Sequence, residues 1–572
     1  MRILSVNVSH DASACILNNG EIECYFKEER ITKRKRDKLS LCSIIEGVKN
    51  FDGKIDYVLS NTHSAIRHGE IELYYEILHR LSKVPYENII EFSHKHHLSH
   101  AGISFYNSGF NKCLVVVVDG EGSKFEDIVS ECESVYVASY PDKFIPLIKN
   151  FYRNPSYVYR ELEYQYKDIN NLDLLIDKLK NYYKCECNFN GNLGGIVTLY
   201  ITAAEIISQS SLENGKPMGL SSYGEKIKDF PRFFTSKTGA VDESLFYLCS
   251  QEDIDKTIFK DYKNKITKQI TKENNKFYAD YAYEVQTQTQ EAVGNLIEKA
   301  IETTGIKQVC IVGGYGMNVV ANHYYLQRFP DVEFYFEPLS DDSGITIGMA
   351  KMFHHTLTKD KTIRPLKTTS FHGIKHDVSS YKGKTTSIEN IATLLNQDKS
   401  VAVYTGLAEA GQRALGNRSI LFNALNPNAK DLVNKIKKRE WYRPFACMVL
   451  EEDANVYFDM GRIKSSPFMT ICFPVRPEYV KIIPGVTHID NTCRIQTISK
   501  TDDYLYELLQ EFKKLSGHGI LLNTSFNLAG DPLVESPEDA FNTLNNSCLD
   551  YLWFQETQQV FKNKISSLIT YK

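Results

Sequence analysis

The chain has 572 residues, 42% of them apolar, and a formal net charge of −4 at pH 7. That length suggests two to four domains with large buried cores. The near-balanced charge excludes a global electrostatic pull toward nucleic acid or an anionic membrane surface. Thirteen scattered cysteines, an odd number, argue against a complete disulfide framework, and the Cys185-Glu186-Cys187 pair lacks the second pair of a zinc ribbon.

In chain order, residues 2–8 read as a strand, with neither a signal peptide before them nor a transmembrane-length apolar run after them. A cytosolic, reducing location is expected. Ala14–Leu17 and Glu21–Phe26 around Asn18-Asn19-Gly20 read as a β-hairpin, because Asn and Gly accept the positive φ of a tight turn. Further strands are expected at 56–61 and 113–118. Residues 123–190, rich in Tyr, Lys, Asn and Asp, fit the rhythm poorly and read as an inserted lobe. Apolar spacing over 283–304 predicts a helix stopped by Gly305. Strand–glycine–helix at 309–318, a strand at 332–338 and a loop feeding a helix at 340–350 complete an α/β pattern. The polar stretch around 356–385 is the linker candidate, and VAVYTG (401–406) starts a second α/β unit.

Polar residues gather in four segments: HDAS (10–13), HHLSHA (96–101), DGEG (119–122) and GQRALGNRS (411–419). His96 and His100 are four apart, so on a helix they share one face and can grip one cation. His97 points elsewhere. Asp119 ends an apolar strand, and Asp342 in D-D-S-G is a fourth ligand candidate. Mixed N/O ligands suit Fe²⁺, Mn²⁺ or Zn²⁺. Gly313, Gly314 and Asn318 lie where a strand turns into a helix, a place where backbone can approach a nucleotide. Lys216 in GKPMGL reads as a phosphate ligand or, taken alone, as a surface turn. The basic run 27–38 reads as a solvated face or a phosphate-attracting rim. Lys437 and Arg439, then Arg443, then Ser525 and Asn527, can cradle a triphosphate and a small oxyanion. Arg413 and Arg418 add planar donors.

Taken together, these motifs resemble the O-carbamoyltransferase family, which includes the nodulation-factor, cephamycin and tobramycin carbamoyltransferases. The likeness spans nearly the whole chain: HDAS, EER-x-T-x-x-K (Glu28 to Lys35), HHLSHA, DG-x-G, GK-x-MGL, GG-x-x-x-N, D-x-G, G-x-RALGNRSIL, IK-x-RE-x-x-RPFA and LNTSFN. The resemblance implies a two-lobed actin/hexokinase/Hsp70-like domain over 1–365, similar to the enzyme that makes threonylcarbamoyl-tRNA. It implies an α/β YrdC-like domain over 366–572. The implied chemistry has two stages. The C-terminal domain makes carbamoyladenylate from carbamoyl phosphate and ATP, and the N-terminal domain passes the carbamoyl group to an acceptor hydroxyl at a metal site. Carried onto this chain, His96, His100, Asp119 and Asp342 hold the metal, with Fe²⁺ first and Mn²⁺ or Zn²⁺ as alternatives. Mg²⁺ accompanies ATP. His10, Asp11 and Lys35 belong to the transfer site. Lys437, Arg439, Ser525 and Asn527 match the K-x-R and S-x-N sets, while Arg418 and Arg443 bind phosphate or carbamoyl oxygen.

Two departures stand out. Gln412 occupies the position before RALG where the family commonly has proline, and the 123–190 region differs from usual members in length and composition. Acceptor identity is therefore not carried over: a sugar, an antibiotic or a hydroxymethyl nucleotide each offers a suitable hydroxyl. No membrane or nucleic-acid partner is expected, and a homodimer is left open. Three other readings share features of this chain: a threonylcarbamoyl-tRNA-type enzyme, a non-catalytic nucleotide-binding protein, and a sugar kinase of the same superfold. The order of the two halves and the RALGNRSIL block argue against the first. The intact polar residues argue against the second, and the histidine pair with S-x-N against the third.

Overall fold

The computed structural model describes residues 1–49, 53–62, 71–126, 128–153, 169–191, 194–208, 210, 213–235, 270–271, 275–366 and 371–564. They form an α/β protein of two compact units. Met1–Ser9, Leu17–Glu21 and Gly53–Leu366 make the first; His10–Ile16, Ile22–Asp52 and Lys367–Lys572 make the second. The expected hairpin is β2 (Ser13–Asn18) and β3 (Glu21–Lys27), turned at Asn19 (φ 49°) and Gly20 (φ 87°).

In the first unit, β1 (Arg2–Asn7) pairs in parallel with β4 (Tyr57–Asn61), and β4 with β5 (Ile89–Glu91). A second sheet is built on β6 (Lys112–Val118), whose residues Cys113 to Val118 are fully buried. It has the order β10-β9-β8-β6-β11-β12, with β7 (Lys124–Phe125) beside β8. Here β8 is Val129–Ser139, β9 Lys143–Arg153, β10 Glu186–Phe189, β11 Gln308–Val312 and β12 Glu333–Phe336.

The region expected as an inserted lobe thus supplies strands to the sheet that holds β6; its residues 154–168 lie outside the described ones. Its polar composition is compatible with burial because the polar groups pair with one another. Lys149 Nζ donates to Glu131 and, at 2.6 Å, to the Tyr136 hydroxyl. Glu133 accepts from Asn150 Nδ2 (3.0 Å), Asn190 Nδ2 (3.0 Å) and the Ile196 amide (2.7 Å). A buried charge is tolerated only when satisfied in this way.

Two helices set the geometry at the end of β6. His96–Ser108 crosses Ile345–Thr358 so closely that a Cβ on Gly348 would stand 1.9 Å from the Ser99 carbonyl oxygen. No side chain fits there, and the contact locks the two helices in register. The expected helix at 283–304 runs from Lys276 to Thr304 and ends at Gly305 (φ 70°).

The second unit holds a nine-stranded mixed sheet, ordered β13-β21-β20-β14-β15-β19-β16-β18-β17. Its strands are β13 (Lys384–Thr385), β14 (Val401–Tyr404), β15 (Arg418–Asn423), β16 (Ala446–Leu450), β17 (Cys472–Pro474), β18 (Thr492–Ile498), β19 (Ile520–Ser525), β20 (Tyr551–Phe554) and β21 (Gln559–Lys562). Helices Ile388–Asn396 and Asp503–Ser516 pack Leu395, Leu508 and Phe512 against it in one core. Helix Pro537–Asn545 contributes Ala540 and Leu544 to a separate core. Its start is fixed by a capping box between Ser536 and Asp539, with proline at the first position. Among the described residues no helix is long and apolar enough to cross a membrane, and the described cysteines are free thiols.

Candidate active site

The first unit carries a four-residue cage. Helix His96–Ser108 presents His96 and His100 one turn apart, their rings 4.9 Å centre to centre. Asp119 follows the last residue of β6, and Asp342 opens the turn leading into helix Ile345–Thr358. His96 Nε2 lies 3.3 Å from Asp119 Oδ2 and 3.4 Å from Asp342 Oδ1; His100 Nε2 lies 3.8 Å and 3.4 Å from the same two oxygens. One ligand atom from each residue falls within 4.8 Å of all the others, and all four residues are buried. Two imidazole nitrogens and two carboxylate oxygens so arranged suit one divalent cation.

Electrostatics point the same way. Burial disfavours a charged imidazole at His96, yet Asp342 and Asp119 outweigh it and raise its pKa to about 10. Burial and Asp342 push Asp119 upward, but the hydrogen bond from His96 and the nearby imidazoles bring it down to about 2. Two carboxylates this close need positive charge between them, and a proton on His96 or a divalent cation each supplies it.

Strand register explains the convergence. β6 pairs in parallel with β11, Val117 opposite Val312, so Asp119 and Gly314 leave the same end of the sheet side by side. The Gly314 amide donates to Asp119 Oδ1 at 2.9 Å. Gly313 has φ 92°, and a Cβ there would sit 2.4 Å from the Val118 carbonyl oxygen. Asn318 caps helix Val319–Arg328 through the Ala321 amide, and its amide nitrogen reaches Tyr200 (3.1 Å) and Gln286 (3.0 Å). A buried asparagine pair supports the cage: Asn61 Nδ2 donates to Asn7 Oδ1 (2.8 Å), and Asn7 Nδ2 to the Asp342 carbonyl (3.1 Å). Sequence reading passed over this pair, although each asparagine ends a short apolar strand. His97 turns away from the cage, its Nδ1 2.8 Å from Ser134 Oγ. Lys216 sits in the first turn of the short helix Gly215–Ser221, 4.0 Å from Glu213.

The second unit carries a cluster of cations. Lys437 ends helix Ala429–Lys437, and its ammonium donates to Ser525 Oγ (3.1 Å), the Asn527 carbonyl (3.0 Å) and Asn527 Oδ1 (2.8 Å), as well as to the Ser525 carbonyl. Arg439 stacks over Phe445, 4.2 Å from the ring centre, and is oriented by Asn434 Oδ1 at 2.7 Å. Burial, then the charges of Arg439 and Arg443, push the Lys437 pKa well down. Burial, then Arg494 and Arg443, do the same to Arg413. Arg494, on β18, is lowered to about 10 by burial, with Arg443 contributing. Arg443 thus faces the charges of Lys437, Arg439, Arg413 and Arg494, with Glu440 3.7 Å away as an acidic neighbour. Such crowding is relieved by a bound polyanion. Arg494 was not singled out in the sequence, because a lone arginine in a strand carries no motif.

Arg418 is fully buried; it stacks 3.7 Å from the Tyr404 ring centre and donates to the carbonyls of Thr405, Gly406 and Asn417. His10, Asp11 and Lys35 belong to the second unit by their packing. His10 is exposed, with Nε2 3.5 Å from Asp11 Oδ2.

Residues 75–351 match the family model for the carbamoyltransferase N-terminus, and residues 392–560 that for the carbamoyltransferase C-terminus. Nodulation protein NolNO of Sinorhizobium fredii is 26% identical over 588 residues, covering 95% of this chain and 78% of that one. The Methanocaldococcus jannaschii protein MJ1058 is 26% identical over 484 residues, covering 81% of this chain and 72% of that one. Nodulation protein U of Rhizobium tropici is 36% identical over 254 residues, or 44% and 43% of the two chains.

Proposed function

Because this chain belongs to the carbamoyltransferase family, we propose that it is an ATP-dependent O-carbamoyltransferase working in two stages. The observation that carries this reading is one chain holding both a His/His/Asp/Asp cage and a separate cluster of five cations. The finer fold identities follow the same reading: actin/hexokinase/Hsp70-like for the first unit, YrdC-like for the second.

In the second unit, Lys437, Arg439, Arg443, Arg413 and Arg494 hold carbamoyl phosphate and the triphosphate of ATP, with Mg²⁺ accompanying the nucleotide. Water cleaves the P–O bond of carbamoyl phosphate and phosphate departs. The carbamate oxygen left behind attacks the α-phosphorus of ATP, pyrophosphate leaves, and carbamoyladenylate results. Ser525 and Asn527 orient the Lys437 ammonium toward the oxygens that gain charge. Carbamoyladenylate is a mixed anhydride prone to hydrolysis, so its consumption by the chain that makes it limits its loss to water.

In the transfer stage His96, His100, Asp119 and Asp342 hold one divalent cation, Fe²⁺ by preference and Mn²⁺ or Zn²⁺ as alternatives. When bound, it supplies Lewis-acid charge for the phosphate and carbamoyl oxygens. The family resemblance adds His10, with Nε2 3.5 Å from Asp11 Oδ2, as a base for the acceptor hydroxyl and Lys35 as a partner for the departing AMP; all three residues pack in the second unit. His10→Ala is expected to slow transfer from supplied carbamoyladenylate about 100-fold or more; an unchanged transfer rate removes the base role. Lys216, Gly313, Gly314 and Asn318 are assigned to the nucleotide side of this site.

The acceptor is a hydroxyl-bearing small molecule or nucleotide. Incubation with ATP, carbamoyl phosphate and a panel of sugars, aminoglycosides, β-lactam precursors and hydroxymethyl pyrimidine nucleotides should yield one product heavier by a single carbamoyl unit, read by mass spectrometry. A panel in which pyrophosphate release never depends on carbamoyl phosphate would overturn the assignment.

A further inference from the structure

We propose that Arg30 and Glu409 are positioning residues that hold the arginine-bearing loop of the second unit's anion site in its binding shape. The loop is 409–418, from which Arg413 joins the cation cluster. Glu409 is fully buried, and its Oε1 accepts from three amides of its own loop: Leu415 (2.8 Å), Asn417 (3.0 Å) and Arg418 (3.1 Å). The loop is thus wound around one carboxylate, an arrangement that fixes backbone direction through charge-assisted hydrogen bonds.

The far side of the loop has further anchors. Gln496 donates to the Leu415 carbonyl at 2.8 Å, Asn523 to Ala414 at 3.2 Å, and Tyr504 to Gly416 at 2.8 Å. The near side is gripped by Arg30, whose guanidinium donates to the Glu409 carbonyl and, at 2.7 Å, to the Gly411 carbonyl. Arg30 comes from the short helix Glu28–Thr32, is 5% exposed, and packs within the second unit although it lies far from the loop in sequence. Arg413 feels the repulsion of Arg494 and Arg443. A loop carrying a cation toward two others needs restraint on both sides of that cation, because repulsion otherwise drives it outward. Arg30 supplies the restraint just before Arg413. Its planar fork spans two carbonyls that a lysine ammonium cannot bridge in the same geometry.

This inference rests on the carbamoyl-activation reading of the site, and its test is kept separate from that reading. Inorganic pyrophosphate is titrated calorimetrically into full-length wild type, Arg30→Ala, Arg413→Ala and the double variant. Arg30→Ala is expected to weaken pyrophosphate about tenfold, and the double variant to bind no more weakly than Arg413→Ala alone, because Arg30 acts through Arg413. Methylguanidinium added to Arg30→Ala should restore most of the lost affinity, which a general loss of stability would not allow. Arg30→Lys, measured the same way, decides the matter if Arg30→Ala does not fold; it should fall between wild type and Arg413→Ala. Wild-type affinity in the Arg30 variants, or losses that multiply in the double variant, would overturn the proposal. A wild type that binds pyrophosphate but releases none from ATP with carbamoyl phosphate removes the functional reading and leaves this cycle to decide the inference.

Discussion

Replacing Asp342 by asparagine, or His100 by glutamine, is expected to lower bound divalent metal from about one per chain to below about a tenth, and to stop carbamoyl transfer. Both substitutions keep side-chain volume, so neither opens a cavity in the buried cage. Asp342→Asn removes one of the two charges that hold His96 at a pKa of about 10. His100→Gln removes the nitrogen facing Asp342 Oδ1 at 3.4 Å and Asp119 Oδ2 at 3.8 Å. Elemental analysis of the purified variants measures occupancy, and a melting curve of wild type with and without chelator measures linkage. A ligand that binds the folded state alone raises stability by mass action, so chelation should lower Tm. Pyrophosphate release should continue in both variants, since the cage lies in the first unit and the cation cluster in the second. Variants that retain a full equivalent of metal would contradict the ligand assignment.

Lys437→Met should give the opposite phenotype: full metal content, with carbamoyl-phosphate-dependent pyrophosphate release reduced about 100- to 1000-fold. Lys437 is surrounded by acceptors from Ser525 and Asn527, so the ammonium is fixed rather than mobile. Methionine keeps the apolar stem of the side chain and removes the charge. The loss should appear in kcat as well as KM, because charge develops on the transferring oxygens during the step. Supplied carbamoyladenylate should still be used by this variant in the transfer stage. A fall in metal content, or unchanged pyrophosphate release, would contradict the division of labour between the units.

Much of the cage was legible in the sequence because its logic is local. The i, i+4 spacing of His96 and His100 needs only helix geometry, and Asp119 needs only the end of an apolar run. Other parts depend on which strands pair and on where helices cross. That Gly314 meets Asp119 follows from the register of β6 with β11, set by residues nearly 200 positions apart. The crossing at Gly348 required knowing that Ser99 lies beneath it. Asn7 and Asn61 lie opposite each other in paired strands and look ordinary when read singly. In the second unit Lys437, Ser525 and Asn527 stood out as a set, whereas Arg494 and Glu409 did not. A single arginine in a strand and a single glutamate among alanines acquire meaning only when the sheet brings loop 409–418 and β18 together. The 123–190 region shows a different limit. Composition reported its polarity correctly, but polarity does not reveal that Lys149, Glu131, Glu133, Asn150 and Asn190 satisfy one another within a sheet.

The two-stage account meets its most direct test in a metal-stripped preparation of the full-length protein, compared with the same protein reloaded with Fe²⁺. Each is incubated with ATP, carbamoyl phosphate and the acceptor found in the panel, quenched, and analysed by mass spectrometry for both carbamoyladenylate and carbamoylated acceptor. The account predicts carbamoyladenylate in both samples and carbamoylated acceptor in the reloaded one alone. Equal acceptor product in the two samples, or no carbamoyladenylate in either, would contradict it.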